Sequence, residues 1–177
     1  MGSPNIKSMS IVRILPGTVR IEITERDPVA RFGSKSSLFA ADREGYVFNL
    51  GESALRIELP VIVGYKDDSL TLGKAVQGQA AMALEALDGC NDPRLCLRVD
   101  SIDVSQDGFL SLVMPIGGSA PQEVKLAWKG MGTGTSESRQ NLLRKLNLVA
   151  QVQQSPEGKR LAKIDVTHEG GKVYGQP

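Results

Sequence analysis

The sequence has little of what most catalytic and metal sites require. Its 177 residues include one His and two Cys, which exclude most metal sites and most His-dependent catalysis. No apolar run approaches the roughly 18 residues of a membrane span. With 21 Lys and Arg against 20 Asp and Glu, there is no basic excess for nucleic-acid binding and no acidic tail. The composition therefore favours a binding or scaffolding protein over an enzyme.

The first part of the chain has the pattern of short strands. Val19, Ile21 and Ile23 alternate with polar residues, which predicts a half-buried strand. Ser10 to Ile14 is also typical of a strand, and the Pro-Gly between the two predicts a hairpin turn. Three further short strands and an apolar stretch ending at Gly64 follow, each bounded by turn residues.

Two segments have the spacing of helices. Apolar residues at steps of three and four predict one helix over 72–87 and a second over about 136–153. Between them, alternation at Leu95, Leu97 and Val99 and later turn signals predict further strands. Strands in runs with two segregated helices indicate an α+β fold with a mainly antiparallel sheet, preceded by a β-hairpin.

The motifs that could carry chemistry are weak. The segment from Gly130 to Ser136 precedes a helix, but it has neither the P-loop ending nor the dinucleotide glycine spacing, so it is interpreted as a capped loop. His168 stands beside two glycines in a predicted turn, and no nucleophile elbow accompanies it. The acidic pairs Asp67–Asp68 and Asp100/Asp103 are explained by solvated loops or strand ends. We predict no catalytic residue, no metal ligand and no cofactor.

The two cysteines leave two alternatives open. Cys90 and Cys96 are separated by five residues, which is not the spacing of a redox or zinc pair. In an oxidising compartment they would form a local disulfide between the helix end and the next strand. Otherwise they are two small buried thiols.

The last predicted strand carries Tyr174. A terminal strand often lies at a sheet edge, and an exposed edge is able to accept a strand from another protein. On residue patterns alone, an ordinary terminal strand is favoured over a functional one, because natural sheets protect their edges.

Several segments, in order, resemble the FtsQ/DivIB family of bacterial cell-division proteins. The longest is SIVRILPGTVRIEITERDPVARFGSKSSLFAADREGYVF, from Ser10 to Phe48. The motifs within and after it are Arg13 to Pro16, Glu25 to Ala30, Asp42 to Phe48, Leu59 to Gly64 and Ile164-Asp165-Val166. The order of helices and strands over the remainder is also similar to that of the family.

This resemblance implies an extracytoplasmic protein in two parts. Residues 1–32 resemble the second half of a POTRA domain, and residues 33–177 resemble the family's β domain. The family also has a cytoplasmic tail, a membrane-spanning helix and a complete POTRA domain. We therefore expect either a fragment of a membrane-anchored ectodomain or an atypical member.

The resemblance also implies a function. Family members are non-enzymatic scaffolds of the divisome on the periplasmic face of the inner membrane at the septum. They bind small bitopic coiled-coil proteins of the FtsB and FtsL type, which add a strand to the last strand of the sheet. The partner-binding residues implied here are His168, Gly170, Gly171, Lys172, Val173, Tyr174 and Gly175.

Two other functions remain as alternatives. One is a POTRA-containing module that handles polypeptides at a bacterial membrane and would bind unfolded segments broadly. The other is a small hydrolase, which requires a deep pocket with a carboxylate pair of raised pKa.

Overall fold

Two sheets and two helices form the part of the chain that the computed structural model describes, which is residues 3–51, 56–66, 70–116, 120–127, 135–168 and 174–176. The elements in chain order are β1 (Ile6–Ile14), β2 (Thr18–Glu25), β3 (Pro28–Phe32), β4 (Phe39–Asp42), β5 (Val47–Asn49), β6 (Val61–Val63), α1 (Gly78–Cys90), β7 (Ser101–Asp103), β8 (Phe109–Met114), β9 (Gln122–Ala127), α2 (Ser136–Gln154), β10 (Lys163–Asp165) and β11 (Tyr174–Gln176).

The predicted N-terminal hairpin is confirmed, but its burial was predicted wrongly. β1 and β2 pair antiparallel as a separate two-stranded sheet. The alternation predicted that one face would be buried, yet both strands are exposed over nearly their whole length. The apolar side chains of Met9, Ile11 and Ile21 share one face of the hairpin, and no described residue covers them.

The main sheet has nine strands in the order β11-β10-β9-β8-β7-β6-β3-β4-β5. The pairs β3–β6, β6–β7 and β9–β10 are parallel, and the other neighbouring pairs are antiparallel. The α+β class with a mainly antiparallel sheet is therefore confirmed. Two of the three parallel pairs, β6–β7 and β9–β10, arise because α1 and α2 connect their strands and return the chain to the starting end of the sheet. In the pair β3–β6, the strands β4 and β5 lie between the two in the chain.

The two helices and one face of the sheet enclose the main core. Leu142, Leu146 and Val149 of α2 are buried, as the predicted apolar stripe requires. Gly89 of α1 lies where a Cβ would be 2.8 Å from a methyl group of Leu146, so glycine allows the two helices to approach closely. Most of the residues that α1 buries in the core are small, and three of them are alanines.

Two local predictions were wrong. The first helix begins at Gly78 rather than at 72, because residues 71–76 run beside β5 instead. The amide of Val47 donates to the carbonyl of Lys74 at 3.0 Å, and the amide of Gly73 donates to the carbonyl of Val47 at 2.8 Å. Residues 95–99 are not a strand, since the chain turns there through the positive φ of Cys96 before β7 begins.

β3 lies in the nine-stranded sheet, so the two-stranded sheet comprises residues 6–25 only. The division into 1–32 and 33–177 stays a prediction. None of the helices in the described ranges has the length and apolar character needed to cross a bilayer.

Candidate functional site

The predicted partner-binding strand, β11, forms one end of the nine-stranded sheet. It pairs antiparallel with β10, with Tyr174 opposite Asp165 and Gly175 opposite Ile164. Ile164 is fully buried and anchors β10 in the core, whereas Tyr174 is 51% exposed. Of the predicted site residues, the structure thus places Tyr174 and Gly175 on the edge strand. Gly170, Gly171, Lys172 and Val173 lie outside the described residues.

The two ends of the sheet differ in how their edges are protected. At the β5 end, residues 73 and 74 exchange backbone hydrogen bonds with Val47, and Tyr46 forms a bridge with Ala75. At the β11 end, no described residue pairs with the outer edge of the strand. Unpaired amides and carbonyls at such an edge are a template for an added strand.

His168 and Tyr174 meet across the terminal hairpin. Their ring centroids are 4.9 Å apart with an interplanar angle of 55°. The imidazole Nδ1 also lies 3.3 Å from the hydroxyl of Thr167 and 4.0 Å from a carboxylate oxygen of Asp165. The structure therefore brings into contact His168 and Tyr174, two members of the partner-binding set that the family resemblance implies.

Asp165 organises the turn beneath these rings. One of its carboxylate oxygens accepts hydrogen bonds from the amide of Thr167 at 2.9 Å and from its hydroxyl at 2.6 Å. Burial alone would raise the pKa of Asp165, but these hydrogen bonds, with the nearby His168 and Lys125, lower it. Residue patterns did not identify Asp165 as part of the site; the Asp-x-Thr spacing typical of an Asx turn was the available signal.

Gly175 lies directly against the side chain of Leu161. A Cβ at this position would overlap the side chain of Leu161, which packs against the inner side of β11. The carbonyl of Leu161 in turn accepts a hydrogen bond of 2.7 Å from the side-chain amide of Gln122, which is fully buried. Gln122 also binds the carbonyl of Gly158 at 3.0 Å. Sequence analysis missed Gln122, which positions the segment leading into β10.

The face of the sheet around this edge is polar. The Lys163 ammonium lies 2.9 Å from a carboxylate oxygen of Glu123, which also accepts a 2.9 Å hydrogen bond from Ser111. Burial acts to raise the pKa of Glu123, but the hydrogen bonds from Lys163 and Ser111 lower it. This half-exposed face has the alternation of a sheet that covers the core on one side and meets solvent on the other.

The other candidate motifs have structural roles where they are described. The hydroxyl of Thr135 accepts a hydrogen bond from the amide of Ser138 at 3.2 Å, which confirms the predicted cap of α2; residues 130–134 lie outside the described residues. Asp103 accepts a bond from the Ser105 amide at 2.7 Å, and Asp67 and Asp68 lie outside the described residues. In the described ranges, no three His, Cys, Asp or Glu side chains come together as a metal site would require.

Both cysteines are free thiols in the structure. Cys90 is buried in the core, and this burial raises its pKa to about 12. Cys96 is exposed, and its thiol donates to the carbonyl of Pro93 at 3.2 Å. Of the two alternatives, the free form is the one observed, although only Cys90 is buried.

No protein-family model matches the chain, and no curated protein is significantly similar to it.

Proposed function

We propose that the protein is a non-enzymatic scaffold of the bacterial divisome that acts on the extracytoplasmic face of the inner membrane. It binds small bitopic septal proteins of the FtsB and FtsL type, and the partner adds a strand to the outer edge of β11. The observation that carries this proposal is the outer edge of β11, which no residue of the described ranges covers, whereas residues 71–76 close the opposite end of the sheet.

The chemistry of strand addition fits this edge. Backbone hydrogen bonds along the added strand supply affinity, and alternate side chains supply specificity. Tyr174 projects from the edge strand with half of its surface exposed, and tyrosine is among the residues that most often dominate binding energy at interfaces. The ring of His168 beside it extends the same surface.

The cellular role is tested by depleting the protein in its own host and measuring cell length. Filaments with unfinished septa are the expected result. Restoration of normal length by the wild-type gene, but not by a gene lacking the codons for 174–177, would assign the role to the terminal strand. Normal cell length after depletion would contradict the division role.

One observation favours a second candidate, a module that handles polypeptides at a membrane. The apolar face of the β1–β2 hairpin is exposed, and exposed apolar surfaces of this kind mark binding sites for other chains. Such a module binds unfolded substrates broadly, so suppression of the aggregation of several unrelated unfolded proteins would favour it. A divisome scaffold is expected to leave that aggregation unchanged.

A further inference from the structure

A recess of about 920 Å³ opens at the end of the main sheet where three parallel strands begin. Pro28 begins β3, Pro60 precedes β6 and Asp100 precedes β7, while Pro115 follows the antiparallel strand β8. Leu87 of α1 contributes to the opposite wall. The volume falls within the range of roughly 300–1,000 Å³ that is typical of ligand sites.

The walls of the recess combine apolar and polar side chains, and hydrogen bonds hold them in place before any ligand binds. Prolines provide rigid apolar surface without amide donors. The guanidinium of Arg31, which is almost fully buried, donates to the carbonyl of Ser37 at 2.9 Å and to that of Ile57 at 3.2 Å. These bonds join β3 to the segments on both sides of it. A preformed wall reduces the ordering cost of binding.

The rim carries an excess of positive charge. Lys35, Arg56, Arg98 and Glu58 are exposed there, and Asp100 is half-buried. A guanidinium nitrogen of Arg98 lies 4.0 Å from a carboxylate oxygen of Glu58, and both side chains are largely exposed. An exposed ion pair of this kind contributes at most about 1 kcal/mol to stability. A ligand carboxylate is therefore able to displace Glu58 from Arg98 at little cost.

We propose that this recess binds an acidic peptide segment of a partner protein. Apolar side chains of the peptide pack on the prolines and on Val29 and Leu59, and its carboxylates pair with Lys35, Arg56 and Arg98. The Arg fork suits carboxylate recognition because it offers two parallel donors.

The mixed charges of the rim favour a peptide over a membrane surface. Basic surfaces that bind anionic lipids present clusters of about 4–8 Lys and Arg. Here Glu58 and Asp100 stand among the cations and would be pressed against lipid phosphates. A peptide is able to place its carboxylates only where the cations lie.

This site is separate from the β11 edge and does not depend on the proposed divisome function. β8, β9 and β10 lie between β7 and β11 in the sheet. At a strand spacing of about 4.8 Å, these positions are separated by about 19 Å. One protein would therefore hold two different partner segments.

Cys96 provides a reporter within the recess. Its thiol is exposed and lines the cavity, while Cys90 is buried in the core. Alkylation by iodoacetamide therefore reports on Cys96, and a ligand in the recess slows it.

The experiment measures binding of a labelled peptide in which glutamates alternate with leucines, together with the rate of Cys96 alkylation. We expect the peptide to bind, to slow alkylation, and to bind at least about tenfold more weakly to the Arg98→Glu variant. Lys35→Gln should also weaken binding of the peptide.

The matched control is Arg20→Glu on the exposed hairpin, which should leave the affinity for the peptide unchanged. Thermal unfolding checks that each variant is folded.

Four results would overturn the proposal. They are equal binding of a peptide with glutamine in place of glutamate, binding without protection of Cys96, protection of Cys96 by inorganic phosphate alone, and Arg98-dependent protection by phosphatidylglycerol vesicles. The last two would assign the recess to a simple anion or to a membrane surface.

Discussion

Arg26 holds the exposed hairpin against the main body. Its guanidinium lies 2.5 Å from a carboxylate oxygen of Asp42 and 4.3 Å from the ring centre of Tyr46, and it also donates to the carbonyl of Pro4. Both charged groups of the ion pair are largely buried. A buried pair of this kind fixes geometry more than it adds stability, because desolvation offsets much of the attraction.

Removal of Arg26 alone should nevertheless destabilise the fold, because the buried Asp42 carboxylate would then keep only its hydrogen bonds from backbone amides. We expect Arg26→Ala to lower the free energy of unfolding by about 1–3 kcal/mol. Urea denaturation measures this change, with Arg20→Ala on the exposed hairpin as the matched control. A loss no greater than that of the control would contradict a structural role for the pair.

Tyr174 should contribute little to folding, because half of its surface is exposed and its main ring contact is His168. We expect the melting temperature of Tyr174→Ala to stay within about 2 °C of wild type. Phe39→Ala is the control, since Phe39 is an aromatic residue of similar exposure near the other end of the sheet. A decrease of several degrees would contradict the assignment of Tyr174 to an exposed edge.

Glu123 and Asp165 should make stability depend on pH in the acid range. The pKa values of both carboxyls are lowered by folding, from ordinary values of 4.5 and 3.8. The stability that the two ionised carboxylates contribute is therefore complete at a pH above the ordinary pKa values. It is lost as the pH falls through the lower pKa values of the folded protein. Urea midpoints between neutral pH and pH about 3 measure the loss. Glu123→Gln and Asp165→Asn should flatten this profile, and an acid dependence as steep as that of the wild type would contradict the contribution of these two carboxyls.

At the scale of elements, local residue patterns were sufficient where they coincided with the tertiary environment. The hairpin turn at 15–18 and the capped helix α2 with its apolar stripe were predicted because each is determined by neighbouring residues. Burial of the hairpin was not predictable, since alternation indicates which face is apolar and not whether anything covers it.

The errors at α1 and at 95–99 have the opposite cause. Residues 71–76 have helical spacing, but β5 is an edge strand that offers them backbone partners, and this pairing overrides the local preference. Likewise, the parallel pairs β6–β7 and β9–β10 depend on where α1 and α2 return the chain. At the candidate site, residue patterns predicted the last strand and the resemblance implied its role, but the cluster of Asp165, Thr167 and His168 depends on the fold of the hairpin.

We expect the attachment of β11 to depend on Gly175. A larger side chain would collide with Leu161, so Gly175→Val should detach β11 from β10 while leaving the rest of the sheet paired. Amide hydrogen exchange should become faster at residues 174–176, and exchange in β9 should stay slow. Unchanged protection at 174–176 would show that Leu161 moves aside and that glycine is not required.

At the scale of the whole molecule, the two proposed binding surfaces, the β11 edge and the recess, lie apart. One end of the sheet is closed by residues 71–76, and the other ends at β11, where the described chain offers no cover. The recess at the starts of β3, β6 and β7 lies well away from that edge. The proposed scaffold role fits this arrangement, because separate surfaces allow two segments to bind without competition.

The most direct test of the central claim is the affinity of the protein for the purified periplasmic segment of its host's FtsB-type protein, measured by calorimetry. We expect binding that Tyr174→Ala weakens about tenfold or more, as removal of a central interface residue does. Phe39→Ala should bind like wild type. Equal affinity of wild type, Tyr174→Ala and a chain lacking residues 174–177, or no binding at all, would contradict strand addition at β11.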